Sequence, residues 1–312
     1  MTLLSSSAPL PPEYRGAVIA LGNFDGFHRG HQAVVGRAVA RARDEGRPAL
    51  VATFDPHPAR FFRPNQPFFR LTMIPQRARL FAEAGVDATL VLNFNADLAA
   101  LSPEAFVADE LVGRFGAAAV VTGEDFTFGK ARAGTAPMLA ALGAAYGMAA
   151  ETVAPVGDAE GVISSSRIRA ALREGDCATA ARLLTRPFTI EGVVVHGDKR
   201  GRELGYPTAN MELANYLRPR YGIYAVRAQL DDGRVLDGVA NLGVRPSFDP
   251  PKELLEPYFF DFDGDLYGRT IAVGLIGFLR GEAKFDSLDA LKAQMAADCE
   301  EARRILSATP SP

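Results

Sequence analysis

Gly22-Asn23-Phe24-Asp25-Gly26-Phe27-His28-Arg29-Gly30-His31 joins a short apolar run, Ala17 to Leu21, to a stretch of helical composition, His31 to Glu45. A strand that passes through a glycine-rich turn into a helix offers backbone N–H groups to an anion, and glycines let the backbone approach a phosphate closely. His28 and His31, spaced as His-x-Gly-His, can both face such a site. Two imidazoles there suit hydrogen bonding to phosphate oxygens as charge grows on a pentavalent phosphorus. Gly22, Phe24, Asp25 and Gly26 complete the turn and are candidate binding residues.

Outward from this turn, strand-like and helix-like segments alternate. Pro48 to Phe54, Ala88 to Phe94 and Ala117 to Thr122 read as strands; Ile74 to Ala84 reads as a helix. Ser102-Pro103 sets an N-cap before a proline at the first helical position, and that helix should run to about Phe115. The alternation predicts a parallel sheet covered on both faces, with ligands beyond the carboxyl ends of the strands. Ser164 to Arg173 reads as a loop running into a helix, followed by a helix from Asp176 to near Leu184.

After Pro187 the texture changes. Phe188 to His196, Gly222 to Leu230, Val235 to Asn241, Leu254 to Phe262 and Ile271 to Leu279 read as strands separated by turns, which predicts an antiparallel barrel or sandwich. A helix capped by Ser287 should run to about Leu306, with a frayed tail from Ala308 to Pro312. The expected division is an α/β domain over 1–185 and a β-rich domain over 186–312.

Composition bounds the function. The chain has 312 residues, of which 48% are hydrophobic and 23% charged, with a formal charge of −3 and a pI near 5.9. That argues against dedicated binding of nucleic acid or anionic membrane, which favours a basic stripe. Cys177 and Cys299 are too few for a disulfide framework or a cysteine-rich metal site, and read as small thiols in a reducing compartment. Met1 to Pro12 has no basic n-region and reads as a loose leader rather than a signal peptide. A cytoplasmic protein is expected, as a monomer or weak homo-oligomer.

Gly123 to Lys130 superficially matches a P-loop. Five residues separate its glycines instead of four, and Ala131 stands where a Ser or Thr must hold Mg²⁺, so that reading is rejected. In the second half, Gly197-Asp198-Lys199-Arg200-Gly201-Arg202-Glu203-Leu204-Gly205-Tyr206-Pro207-Thr208-Ala209-Asn210 is a glycine-spaced basic loop after a strand. Gly197, Lys199, Gly201, Gly205 and Pro207 belong to a loop able to wrap a polyphosphate. Thr208 and Asn210 supply two oxygen ligands, two residues apart, for Mg²⁺ already held by phosphates.

Gly-x-Phe-Asp-Gly-x-His-x-Gly-His resembles the nucleotidyltransferase signature of the FMN adenylyltransferase domain in bacterial FAD synthetases. Thr53 to Pro58 and Gly123 to Lys130 are similar to that family's second and third motifs, and Ile163 to Arg169 to the superfamily's phosphate-binding loop. There Ser164, Ser165, Ser166 and Arg169 would hold phosphates; Ser166 stands where threonine is usual and keeps the hydroxyl. Pro207-Thr208-Ala209-Asn210, Gly238 to Phe248 with Arg245, and Glu256 resemble riboflavin kinases. The resemblance covers about residues 15 to 305 and implies a Rossmann-like nucleotidyltransferase domain followed by a riboflavin kinase barrel with a C-terminal helix.

It further implies two steps with ATP and Mg²⁺. Riboflavin would be phosphorylated to FMN, with Glu256 as the base, and FMN adenylylated to FAD over His28 and His31. Pro257-Tyr258 departs from the family's Val-His, and a proline is expected to disturb a central strand. His57, between two prolines, serves as a strand stop or as a site residue. Phe61, Phe62, Phe68 and Phe69 form a small loop core or a wall for a flavin ring. The rival readings are a nucleotidyltransferase of another substrate fused to a flavin sensor, and a non-catalytic flavin or nucleotide store.

Overall fold

A computed structural model describes residues 2–196, 205–245 and 252–309. The chain packs as two compact units, Met1–Phe68 with Met73–Ser164, and Phe69–Thr72 with Ser165–Pro312.

The first unit is built on a six-stranded sheet of β1 (Thr2–Ser5), β2 (Val18–Leu21), β3 (Ala49–Asp55), β4 (Ala88–Asn93), β5 (Ala119–Gly123) and β8 (Ala149–Val153). Its order is β1-β4-β3-β2-β5-β8 and every pairing is parallel. Residues of β2 alternate between two cores. Val18 and Ala20 pack with α1 (Arg29–Glu45) and Phe81 of α3 (Ile74–Glu83); Ile19 and Leu21 pack with Leu50, Leu90 and Phe115 on the other face. A strand buried on both faces needs an unbroken apolar run, and Val18-Ile19-Ala20-Leu21 is one.

Three short helices, α2 (Pro58–Phe62), α4 (Ala96–Ala100) and α5 (Pro103–Ala105), line the connections, and α6 (Ala136–Ala145) precedes β8. Ser102 caps α5 as read, but the helix continues over Phe106–Arg114 as a π-helix. Two-residue strands pair as hairpins, β6 (Thr127–Phe128) with β7 (Gly134–Thr135) and β9 (Gly157–Asp158) with β10 (Gly161–Val162). The leader is not loose throughout: Thr2 to Ser5 pairs in parallel with Ala88 to Val91, and the Ser6 hydroxyl accepts from Asn93 N at 2.9 Å. Val18 to Leu21 turns one way into β3 and β4, and the chain then returns to the other side for β5. The loop after β2 therefore leaves the carboxyl edge where the strand order reverses, the usual ligand position in such sheets.

The second unit holds α7 (Ser165–Glu174), α8 (Cys177–Leu184), β11 (Phe188–Val193), β12 (Met211–Glu212), β13 (Gly222–Leu230), β14 (Val235–Arg245), β15 (Lys252–Phe259), β16 (Thr270–Arg280) and α9 (Leu288–Ala308). Composition changes at Pro187, but packing changes at Ser165, because α7 and α8 pack together and α8 lies against β16 and β11. The sheet order is β11-β16-β13-β14-β15-β12, antiparallel throughout. An antiparallel bridge between Val195 and Asn210, with Val195 N donating to Asn210 O at 2.8 Å, brings the two edges together into a nearly closed barrel.

α9 covers one barrel face. Ala302 and Leu306 are buried there against Ala225 and Phe260. Ser287 caps it through Ala290 N at 3.1 Å, and Asp176 caps α8 through Thr179 N at 2.9 Å. The Arg280 guanidinium clamps Asp298 at 2.9 and 2.6 Å, a bidentate pair that holds the helix in register on the barrel.

Pro257 does not break β15. Its carbonyl accepts from Ala209 N at 2.9 Å. In an antiparallel strand the N and O of one residue point to the same side, so the missing N–H faces Ala209 and not β14. The β14–β15 ladder runs unbroken from Gly238↔Phe259 to Arg245↔Lys252, while the β12–β15 ladder stops at Met211↔Leu255.

Candidate functional site

In the first unit, the turn after β2 is held in a conformation that needs its particular residues. Phe24, Gly26 and Phe27 lie in the left-handed region, at φ of 50°, 86° and 44°. Each non-glycine there costs on the order of 1–3 kcal/mol. Burial offsets it: the Phe24 and Phe27 rings are 2% and 4% exposed and both meet Phe81 edge-on, at 5.9 and 4.9 Å. A buried Phe contributes roughly 1.5–3 kcal/mol, comparable with the strain.

His28 is the N-cap of α1, its Nδ1 accepting from His31 N at 3.4 Å. An imidazole thus takes the place of the usual Ser or Asp, and the helix starts at Arg29 rather than His31. The two imidazoles stack at 3.6 Å between centroids, 21° apart, which covers one face of each ring, and His28 is 5% exposed. Gly30 makes room for this: a Cβ there would stand 3.2 Å from His28 Cε1 and 3.5 Å from Ile163 O. The chain entering the Ser164 loop therefore runs beside the histidine turn. Ser165, Ser166 and Arg169 lie in the first turns of α7 in the second unit.

Sequence reading missed Arg77. Its guanidinium, 2% exposed, donates to Asn23 O and, at 3.1 Å, to Thr53 Oγ1; Thr53 in turn donates to Asn23 O at 2.9 Å. Asp25, also buried, lies 4.0 Å from Arg77 Nη2. The one sequence signal was an arginine four residues before Phe81, on the apolar face of α3.

The remaining first-unit candidates resolve separately. His57 caps α2 through Ala59 N at 3.1 Å and stacks on Phe68. Phe61 and Phe62 meet Phe94, and Phe69, which belongs to the second unit, lies under Arg218. Gly123 to Lys130 forms a turn and hairpin strand with no helix following directly, in keeping with the rejected P-loop.

In the second unit, Gly197, Lys199 and Gly201 lie outside the described residues. Gly205 has φ of 87°, Pro207 is exposed, Thr208 half-buried and Asn210 buried. Asn241 is the register partner of Glu256, and its Nδ2 donates to Glu256 Oε2 at 3.4 Å. Arg245 pairs with the same oxygen. On the other side, Ala209 N to Pro257 O continues the Met211↔Leu255 register, which sets Asn210 opposite Glu256. Directly opposed residues share a face, so Asn210, Glu256 and Asn241 form one polar row across three adjacent segments.

Among the described residues no three His, Cys, Asp or Glu side chains are grouped to hold a metal. Asn210, opposite Glu256, and Thr208, two residues before it, offer neutral oxygens of the kind that suits Mg²⁺ completed by substrate phosphates. Burial pushes the Cys177 thiol up to about 12 and the Cys299 thiol to about 11.

Comparison with known proteins gives the same two halves. Residues 10–167 match the FAD synthetase family model and residues 184–306 the riboflavin kinase model. A bifunctional riboflavin kinase/FMN adenylyltransferase from Pseudomonas fluorescens is 42% identical over 100% of this chain and 99% of its own. Its namesake from Bacillus subtilis is 38% identical over 95% and 94%. A crystal structure described as a macrolide-efflux protein from Streptococcus pneumoniae shares 34% identity, covers 97% of this chain and 99% of that one, and superposes with a TM-score of 0.87. Among the described residues no helix is long and apolar enough to cross a membrane. With both family models matched in order and relatives aligned from end to end, this chain belongs to the bifunctional riboflavin kinase/FMN adenylyltransferase family.

Proposed function

We propose that the two reactions of the family are divided between two residue sets of this chain, and that the polar row Asn210–Glu256–Asn241 is the observation that best supports the kinase half. The chain phosphorylates riboflavin to FMN with ATP, then adenylylates FMN with a second ATP, giving FAD and pyrophosphate. Both are phosphoryl-group transfers, in which positioning and electrostatics dominate.

In the kinase step, Glu256 accepts the proton of the riboflavin 5′-hydroxyl as the oxygen attacks the γ-phosphate. Asn241 and Arg245 both engage Oε2, which leaves Oε1 to take that proton. Thr208 and Asn210 would hold Mg²⁺, which when bound neutralises charge on the phosphates. Gly197 to Gly205, mostly outside the described residues, is read from its sequence as the loop that would cover the nucleotide phosphates.

In the adenylyltransferase step, the FMN phosphate attacks the α-phosphate and pyrophosphate leaves. His28 and His31 stabilise charge on the transferring group through their ring N–H groups, backed by the α1 N-terminus. Gly22, Phe24, Asp25 and Gly26 shape the turn, and Ser164, Ser165, Ser166 and Arg169 hold the departing phosphates. On this reading the enzyme works in the cytoplasm as a monomer or weak homo-oligomer. Incubation of the purified protein with riboflavin, ATP and Mg²⁺ tests it. FMN followed by FAD is the expected outcome, and flavin binding without turnover would overturn it.

A further inference from the structure

We propose that Asn241 is a substrate-binding and positioning residue of the kinase step, taking a hydroxyl of the flavin's polyol side chain on Oδ1 while Nδ2 orients Glu256, an assignment that rests on Glu256 acting as the base. Asn241 Oδ1 is buried and has no hydrogen-bond partner among the described residues. The amide cannot simply be turned over: that would set its oxygen against the Glu256 carboxylate, acceptor against acceptor. Nδ2 is thus committed to Glu256, and Oδ1 is committed to accept from something outside the described chain. Buried polar oxygens in folded proteins are nearly always satisfied.

Position narrows the donor. Asn241 and Asn210 flank Glu256 on the same face, one from β14 and the other from the segment leading into β12. A group whose hydroxyl gives its proton to Glu256 brings its neighbouring atoms within reach of both. On the Asn210 side lie the oxygens assigned to Mg²⁺ and phosphate. On the Asn241 side a neutral amide oxygen is suited to an alcohol O–H, the group repeated along a polyol chain. A phosphate, which brings acceptors only, is excluded from Oδ1 by the same chemistry.

Flavin binding without ATP, followed by fluorescence quenching, separates this contact from turnover. Asn241→Ala should weaken riboflavin binding by roughly threefold to tenfold, the worth of one neutral hydrogen bond. Lumiflavin, which has no polyol chain, should bind native and variant protein alike. Asn241→Asp is nearly isosteric. It keeps an acceptor for the polyol but replaces the donor to Glu256 with a carboxylate oxygen set against it, so riboflavin affinity should hold while kinase kcat falls about tenfold or more.

Equal riboflavin affinity in Asn241→Ala would overturn the polyol contact, as would an equal loss for lumiflavin. A variant that alters only the Mg²⁺ requirement would make Asn241 a metal ligand instead and overturn it too. Native kcat in Asn241→Asp would overturn the positioning role. Glu256→Gln distinguishes the underlying reading: full kinase activity there removes Glu256 as base, whereas the riboflavin–lumiflavin difference at Asn241 is read independently of it.

Discussion

Arg77 and Thr53 meet at 3.1 Å beneath the histidine turn, and both donate to the carbonyl of Asn23. The arrangement is self-consistent: the Thr53 hydroxyl gives its hydrogen to Asn23 and accepts from the guanidinium. A buried cation on α3 thereby ties the ends of β2 and β3 to the loop that carries His28. Arg77→Met keeps the volume and removes both donors. It should lower FMN adenylylation by about tenfold or more, the scale of a lost charge-assisted hydrogen bond. Riboflavin phosphorylation on the same preparation should stay unchanged. Arg77→Lys, which keeps the charge and N–H donors but not the planar fork, should recover part of the loss. Native FAD formation by Arg77→Met would show that the loop holds its shape without this contact.

Glu256 and His31 should separate the two activities within one molecule. Glu256→Ala removes the proposed base and should cost FMN formation about 10²–10⁴-fold, the range for general base catalysis. Its conversion of supplied FMN to FAD should persist. His31→Ala should show the opposite pattern, with adenylylation down about 10²–10³-fold. Each variant then serves as the other's control for folding. Persistence of kinase activity in the first, or of FAD synthesis in the second, removes that residue from its role.

The elements were legible where local pattern decides them. Gly222 to Leu230 was readable to the residue because turns bound an apolar run, and the Ser102 and Ser287 caps follow from side-chain chemistry alone. Thr2 to Ser5 was not legible as a strand: a four-residue parallel edge strand is specified by its partner β4, eighty-odd residues away. α6 and β8 hide in an alanine-rich stretch where neither period stands out. The site divides in the same way. His28, Gly30 and His31 announce themselves because their roles are set within one turn. Arg77 and the pairing of Asn241 with Glu256 depend on which face of α3 is buried and on the β14–β15 register, and neither is written in local spacing. Pro257 was misread as a threat to β15 because the sequence does not say which side its nitrogen faces.

Thr208 is half-buried two residues before Asn210, and together they are the neutral oxygens proposed for Mg²⁺. Thr208→Val removes one oxygen at nearly constant volume. The Mg²⁺ concentration for half-maximal kinase activity should rise by about tenfold or more, the scale on which even supporting groups of a metal site act. The Mg²⁺ response of FMN adenylylation should stay where it was. A titration of both reactions in one preparation checks this, and an unchanged kinase curve would remove Thr208 from the metal site.

Cys177 and Cys299 should be poor nucleophiles although neither is in a disulfide. Burial comes first for both, with neighbouring Asp176 and Asp298 adding to it, and pushes the thiols up to about 12 and about 11. The thiolate is the reactive form. An ordinary cysteine with a pKa near 8.5 is about one quarter ionised at pH 8, whereas these values leave roughly one part in a thousand or less. A disulfide reagent at pH 8 should therefore modify Cys299 slowly and Cys177, 4% exposed, more slowly still. Both thiols should react at once in denaturant, and the native rate should climb as pH rises toward 10. Rapid native labelling of Cys177 would mean that α8 opens away from β16 in solution.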